Sequence, residues 1–277
     1  MKNHKQVAPT LPPLPDATFE QQLANEAYWR SVFCKDNTPL IEIKPGTHYR
    51  TLPSWFPSKK NPKGEIRARE PLVADLLIHL DTDPKIKRIH EFAVKIQYRY
   101  HKLDGTILVK EHIPDLCVLD ADGAVFVIDV MPRAVQQTMR GIQNRKPSLQ
   151  RHYASLGAKY MLLDETTIHL RPLFQNLRLM WRHKRLSHEP TGMETLRQIL
   201  RDHKLGCTVG DLMRTMPSNA ILGRWSDEPT TAVKHVSECN PVFSAVMQLA
   251  MAGELEVDLD SRFSSDTLVT RKEKANG

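Results

Sequence analysis

The stretch "AVFVIDVM" at residues 124–131 is apolar on both of its alternating faces. A strand of that kind needs cover on both sides, so the chain is expected to fold as layered α/β with this strand central in its sheet. "IPDLCVLD" at 113–120 precedes it, and an Asp122-Gly123 turn joins the two as a hairpin. Each strand carries one acid, Asp115 and Asp129, with thirteen residues between them. An acid at a strand end can simply cap a turn in solvent, and Asp115, just after a proline, suits that reading. Asp129 does not, because it interrupts an apolar run, where a carboxylate is costly unless something positive meets it. Two carboxylates brought to one point across a hairpin are hard oxygen ligands. They suit Mg²⁺, which in nucleases polarises a phosphate and helps ionise a water.

The rest of the chain supplies the layers. Residues 1–17 are Pro-rich and expected to be disordered. A helix is predicted at 18–33, followed by a proline-studded loop over 37–69 in which Trp55 and Phe56 pack the chain down. A second helix at 71–80 opens on Pro71 and places Leu72, Val73, Leu76, Leu77 and Leu80 on one face. "EFAVKIQYRYH" alternates through Val94, Ile96, Tyr98 and Tyr100, and an Asp104-Gly105 turn leads into "TILVKEH". A helical region at 134–156, interrupted at Pro147, precedes a strand "KYMLLDE" and a helix at 172–186. After Glu189 the pattern changes to three short helices and a strand pair in "LEVDLDSRFSSDTLVTR", which describes a winged-helix module.

No apolar run reaches the eighteen or so residues of a membrane span, and the N-terminal sequence has no apolar signal region. Cys34, Cys117, Cys207 and Cys239 form no CxxC pair, and the twelve histidines show no HExxH spacing. A cytoplasmic protein is expected. Charge is unevenly spread. Residues 130–188 hold 11 Lys and Arg against 2 Asp and Glu, whereas 1–129 hold 18 against 17 and 189–277 hold 10 against 13. The net +7 therefore resides in the middle block, whose field attracts polyanions, nucleic acid first among them. The acidic last block leans toward a protein partner.

"PD", thirteen residues, then "DVM" resembles a PD-(D/E)XK nuclease core whose final lysine has become Met131. With "FPSKKNPKGEIRAREPLVADLLIHLDTDPKIKRIHEFAVKIQY" before it and "VMQLAMAGELEVDLDSRFSSDTLV" near the end, residues 38–270 are similar to the TnsA family. These are the endonuclease subunits of heteromeric DNA transposases. The resemblance implies an α/β restriction-endonuclease-like domain, with a mixed sheet flanked by helices, followed by an α+β winged-helix domain. The expected division is a tail and helix at 1–37, a nuclease-fold domain at 38–188 and a winged-helix domain at 189–277.

The resemblance also implies a Mg²⁺ site (Mn²⁺ in its place) held by Asp115, Asp129 and the Val130 carbonyl. Val73 stands where the family keeps a helix glutamate, three residues after Glu70, which is the replacement candidate on nearly the same helical face. Met131 cannot orient or deprotonate water as the family lysine does, so Lys110 or Lys95 is the candidate substitute. Arg133, Arg140, Arg145, Lys146 and Arg151 are the candidates for phosphate contact. The implied partners are transposon-end DNA, a DDE-type transposase subunit and an AAA+ regulator, in a bacterial nucleoid. Two functions follow: an endonuclease nicking the 5′ strand at transposon ends, with activity reduced or lost, or a non-catalytic DNA-binding scaffold subunit. A winged-helix transcriptional regulator is a third reading, which leaves the paired aspartates unexplained.

Overall fold

The computed structural model describes residues 18–43, 52–102, 105–185, 187, 189, 192–217 and 240–271, with only the backbone of Arg140 and Gln143. The Pro-rich 1–17 segment, Asp104 and Cys239 lie outside these residues. The chain divides into two compact units: residues 1–80 with 85–168, and 81–84 with 169–277. The boundary expected at 188/189 falls inside the second unit.

The first unit is built on a mixed four-stranded sheet flanked by helices. Its order is β3 (Ile86–Glu91), β6 (Leu116–Asp120), β7 (Val125–Val130), β8 (Ala158–Leu163). β3, β6 and β7 run antiparallel, while β8 lies parallel to β7. A parallel neighbour needs a long crossover, here supplied by α3 (Arg133–Thr138) and α4 (Arg140–Ser155). β7 is an inner strand, as its two apolar faces predicted. The β6–β7 turn is tied by Asp120, whose Oδ1 accepts from Asp122 N (2.9 Å) and Ala124 N (2.7 Å), with Gly123 at φ +83°.

α1 (Phe19–Val32) starts at a capping box in which Thr18 and Gln21 satisfy each other's backbone N–H. Its Trp29 indole N–H donates to the Leu156 carbonyl at 2.6 Å. α1 and α4 contribute Trp29, Val32, Phe33, Leu149 and Tyr153 to one buried cluster with sheet residues Cys117, Val127 and Tyr160. α2 (Pro71–Thr82) buries Leu72, Val73, Leu76 and Leu77.

Three expectations are corrected. The 37–69 loop contains an antiparallel hairpin, β1 (Ser54–Pro57) and β2 (Glu65–Ala68); Phe56 is buried but Trp55 is exposed. Four-residue strands among prolines leave too little alternation to read. The strand expected over 91–101 begins only at Ile96, and the strand before it, β3, was not expected. β3 ends at Glu91, Phe92 turns the chain at φ +46°, and β4 (Ile96–His101) pairs separately with β5 (Ile107–His112). α4 runs unbroken through Pro147; the interruption comes earlier, at Met139 (φ −97°, ψ 87°). Burial of Ile142, Ser148, Leu149 and Tyr153 along α4 outweighs the hydrogen bond that Pro147 cannot make.

The second unit contains α6 (Leu173–Arg182), α7 (Gly192–Asp202), α8 (Val209–Thr215) and α9 (Pro241–Met251). The short α5 (Glu165–Ile168) precedes them, in the first unit. An antiparallel sheet of order β10 (Leu255–Val257), β11 (Leu268–Arg271), β9 (Cys207–Thr208) completes it. Gly253 ends α9's turn at φ +76°, and a Cβ there would stand 2.9 Å from Pro84. Among the described residues, no helix is long and apolar enough to cross a membrane.

Candidate functional site

The hairpin places its two acids at the same end of neighbouring strands. β6 and β7 pair Leu116 with Ile128, so Asp115 and Asp129 sit one step beyond the last pair. Both are almost fully buried, at 3% and 4% exposure. Their surroundings nevertheless differ.

Asp115 is met by Arg69, at the end of the β2 segment. Arg69 Nη2 donates to Asp115 Oδ2 at 3.1 Å and to the Val130 carbonyl at 3.2 Å. Its Nε lies 2.8 Å from Asp115 Oδ1 and 3.3 Å from Glu70 Oε1, close charge contacts in which the N–H aligns with neither oxygen. The Val130 N–H also donates to Asp115 Oδ2, at 2.8 Å. Behind it, the Asp115 carbonyl accepts from Phe92 N at 3.1 Å, which fixes the strand end against the left-handed turn. Burial pushes the Asp115 carboxyl up to about 7; Arg69 pulls it down and the nearby negative charge of Asp129 adds to the rise.

Asp129 faces a wholly different set. Its Oδ2 accepts from the Tyr160 hydroxyl at 2.7 Å, from His112 Nε2 at 2.9 Å and from Arg145 Nη2 at 3.4 Å. His112 is itself buried, and its Nδ1 lies 3.0 Å from the Tyr153 hydroxyl. With Nε2–H given to the carboxylate, Nδ1 joins the Tyr153 hydroxyl to the same network. Tyr153 and Tyr160 stack at 5.8 Å between ring centres, and the His112 ring meets both edge-on. Burial would raise the Asp129 pKa, but the His112 bond and charge, Tyr160 and Arg145 together hold it below the usual carboxylate range.

Glu70 is drawn to the Arg69 side of Asp115, and its carbonyl accepts the Val73 and Ala74 N–H groups that open α2. Met131 is half-buried and engaged through its backbone, its N–H to the Leu163 carbonyl and its carbonyl from Gln136 Nε2, both at 2.9 Å. Neither candidate lysine is brought to the acids. Lys110 stands over the Tyr100 ring at 4.2 Å on the exposed β5, and Lys95 pairs with Glu111 at 2.8 Å. Of the phosphate candidates, Arg133 is exposed at the start of α3, and Lys146 and Arg151 are half-buried on α4. Arg145 turns inward to Asp129, where a buried carboxylate needs a cation, and the Arg140 side chain lies outside the described residues.

Two of the atoms that the resemblance gives to a metal, an Asp115 oxygen and the Val130 carbonyl, are thus bonded to one guanidinium. The third ligand, Asp129, accepts three donors on a single oxygen. As arranged this donor set does not fit a divalent cation: Arg69 would have to leave Asp115 and the Val130 carbonyl, and His112, Tyr160 and Arg145 already occupy Asp129 Oδ2. Among the described residues, no group of three or more His, Cys, Asp or Glu side chains is placed to hold a metal. Sequence reasoning missed Arg69, His112, Tyr153 and Tyr160 as parts of this centre. No known protein-family model and no curated protein matches the sequence.

Proposed function

We propose that the chain is a DNA-binding subunit of a heteromeric transposition complex, built on a TnsA-like nuclease frame that no longer cuts. The observation that carries this reading is the Arg69 guanidinium bonded to both Asp115 and the Val130 carbonyl. A guanidinium in that place neutralises the carboxylate, as a metal would, but supplies neither an ionised water nor a Lewis acid. Lys110 and Lys95 are each engaged elsewhere, and among the described residues no lysine contacts the two acids, which supports the same reading.

The restriction-endonuclease-like fold is supported by the hairpin that carries both acids and by the α3–α4 crossover to a parallel strand. The winged-helix reading of the second unit is supported by α7, α8 and α9 with the β9–β11–β10 sheet. DNA is the partner favoured by the basic 130–188 block, and the transposase and AAA+ partners come with the resemblance.

Calorimetric titration of the full chain with MgCl₂ and MnCl₂ tests the reading, using wild type, Arg69→Ala and Arg69→Ala with Asp115→Ala. Wild type is expected to give no saturable heat at millimolar metal. Arg69→Ala is expected to gain weak Mn²⁺ binding that the double variant loses. Stoichiometric Mn²⁺ binding by wild type, abolished in Asp115→Ala and accompanied by 5′-strand nicking of transposon ends with the partner transposase, would restore the endonuclease.

A further inference from the structure

Four of the described arginines of the second unit are paired with carboxylates. Arg197 contacts Glu189 (2.9 Å) and Glu194 (2.7 Å), Arg201 contacts Glu254 (2.7 Å) and Glu194 (3.1 Å), and Arg185 and Arg214 likewise have carboxylate partners. Arg178, Arg182 and Arg262 are exposed and have no carboxylate partner among the described residues. These three line one cleft of about 350 Å³, together with Gln175, Asn176 and Phe263.

The cleft is built. Arg178 and Arg182 lie four residues apart on α6, on one helical face and separated by about 6 Å of rise. Arg262 comes from the β10–β11 loop, which α6 holds by a single buried side chain. Asn176 Nδ2 donates to the Leu259 carbonyl (3.0 Å) and the Ser261 carbonyl (2.7 Å), and its Oδ1 accepts from Phe263 N (3.1 Å). The Phe263 ring in turn meets Phe243 of α9 edge-on at 6.4 Å. The loop arginine is therefore held beside the helix arginines although all three carry like charge.

We infer that this cleft is a phosphate-binding site for a nucleic-acid backbone, separate from the centre at Asp115 and Asp129. Three guanidiniums with no ion-paired carboxylate among the described residues, two of them a helical turn apart, offer planar forks to successive phosphates of one strand. α6 is also the end of the sequence block in which cations outnumber acids 11 to 2, so the charge asymmetry and the cleft point to the same class of ligand. No base-reading group is assigned; the contact is sequence-independent. The inference rests on the nucleic-acid part of the reading above, and not on the loss of cutting.

The test is fluorescence anisotropy of the full chain with a fluorescein-labelled DNA duplex of arbitrary sequence, titrated across salt. The Arg178→Ala, Arg182→Ala, Arg262→Ala triple variant is expected to weaken binding on the order of 10-fold and to flatten the log–log salt slope by about 2–3. Arg262→Ala alone removes an exposed loop side chain with no packing role, and is expected to flatten the slope by about 1. Arg185→Ala with Arg214→Ala is expected to change neither. Wild type that binds no duplex overturns both this inference and the DNA-binding function. Wild type that binds, with the triple variant indistinguishable from it, overturns this inference alone. Unchanged duplex binding with lost binding to polyglutamate would reassign the cleft to an acidic protein segment.

Discussion

Asp115 and Asp129 occupy equivalent places on adjacent strands, are equally buried, and are handled in opposite ways. Asp115 is answered by an arginine whose own side chain is 41% exposed, and its carboxyl is pushed up to about 7. Asp129 is enclosed by His112, Tyr160 and Arg145, with Tyr153 behind them, and is held below the usual range. Burial alone therefore does not set the state of a carboxylate; the number and rigidity of the donors facing it do. The cation beside Asp115 reaches solvent and can exchange partners, whereas His112 and Tyr160 beside Asp129 are buried.

The sharpest way to break this contrast is Asp129→Ala. It strands the buried His112 Nε2–H and Tyr160 hydroxyl and takes the carboxylate from half-buried Arg145, and is expected to cost about 3–5 kcal/mol in chemical denaturation. A loss under about 1 kcal/mol would mean that Asp129 is no more structural than Asp115.

A third buried group, His90, faces cations rather than a counter-charge. Burial, with Arg88 and Lys63, lowers its pKa to about 4, while the Glu91 carboxyl beside it is raised by its own burial. The folded chain then binds this proton less tightly than the unfolded chain. Stability from His90 is complete above pH 6.5 and is lost as pH falls toward about 4. The loss is expected to be on the order of 2–3 kcal/mol, read from denaturation midpoints of wild type against His90→Gln. Parallel pH profiles for the two proteins would refute it.

Asp115→Asn should be far milder than Asp129→Ala, within about 1 kcal/mol, because Arg69 can turn to solvent and a buried charge is removed. Lys110→Ala removes only an exposed contact over Tyr100. It is expected to leave the midpoint within about 0.5 kcal/mol and the metal titration unchanged. A changed metal response in Lys110→Ala would bring that lysine back to the centre.

What the sequence disclosed follows the strength of its patterns. β7 was legible because apolar residues on both faces admit few positions in a sheet, and β4 because Ile96, Tyr98 and Tyr100 alternate into the core. β1 and β2 were not, since four residues carry too few repeats. The Phe92 turn was hidden because nothing in "HEFAV" marks a residue with positive φ. The two acids were visible as anomalies in apolar runs, but their partners were not. His112 is the one buried residue of β5, and only the partly buried Leu108 shares its inward face, too little to extrapolate from. Arg69 looks in sequence like its neighbours Arg67 and Lys63, and only the tertiary fold selects which cation reaches Asp115.

The three hydrogen bonds of Asn176 carry a thermodynamic consequence. The β10–β11 loop surrenders its conformational freedom when the second unit folds, not when something docks on it. Any ligand of that loop meets a surface with little entropy left to lose, so its affinity reflects its contacts with little deduction for ordering. Weakening this one side chain, as in Asn176→Ala, would convert a rigid surface into one that must be ordered anew at each encounter. The bound complex could look the same while association slowed and affinity fell.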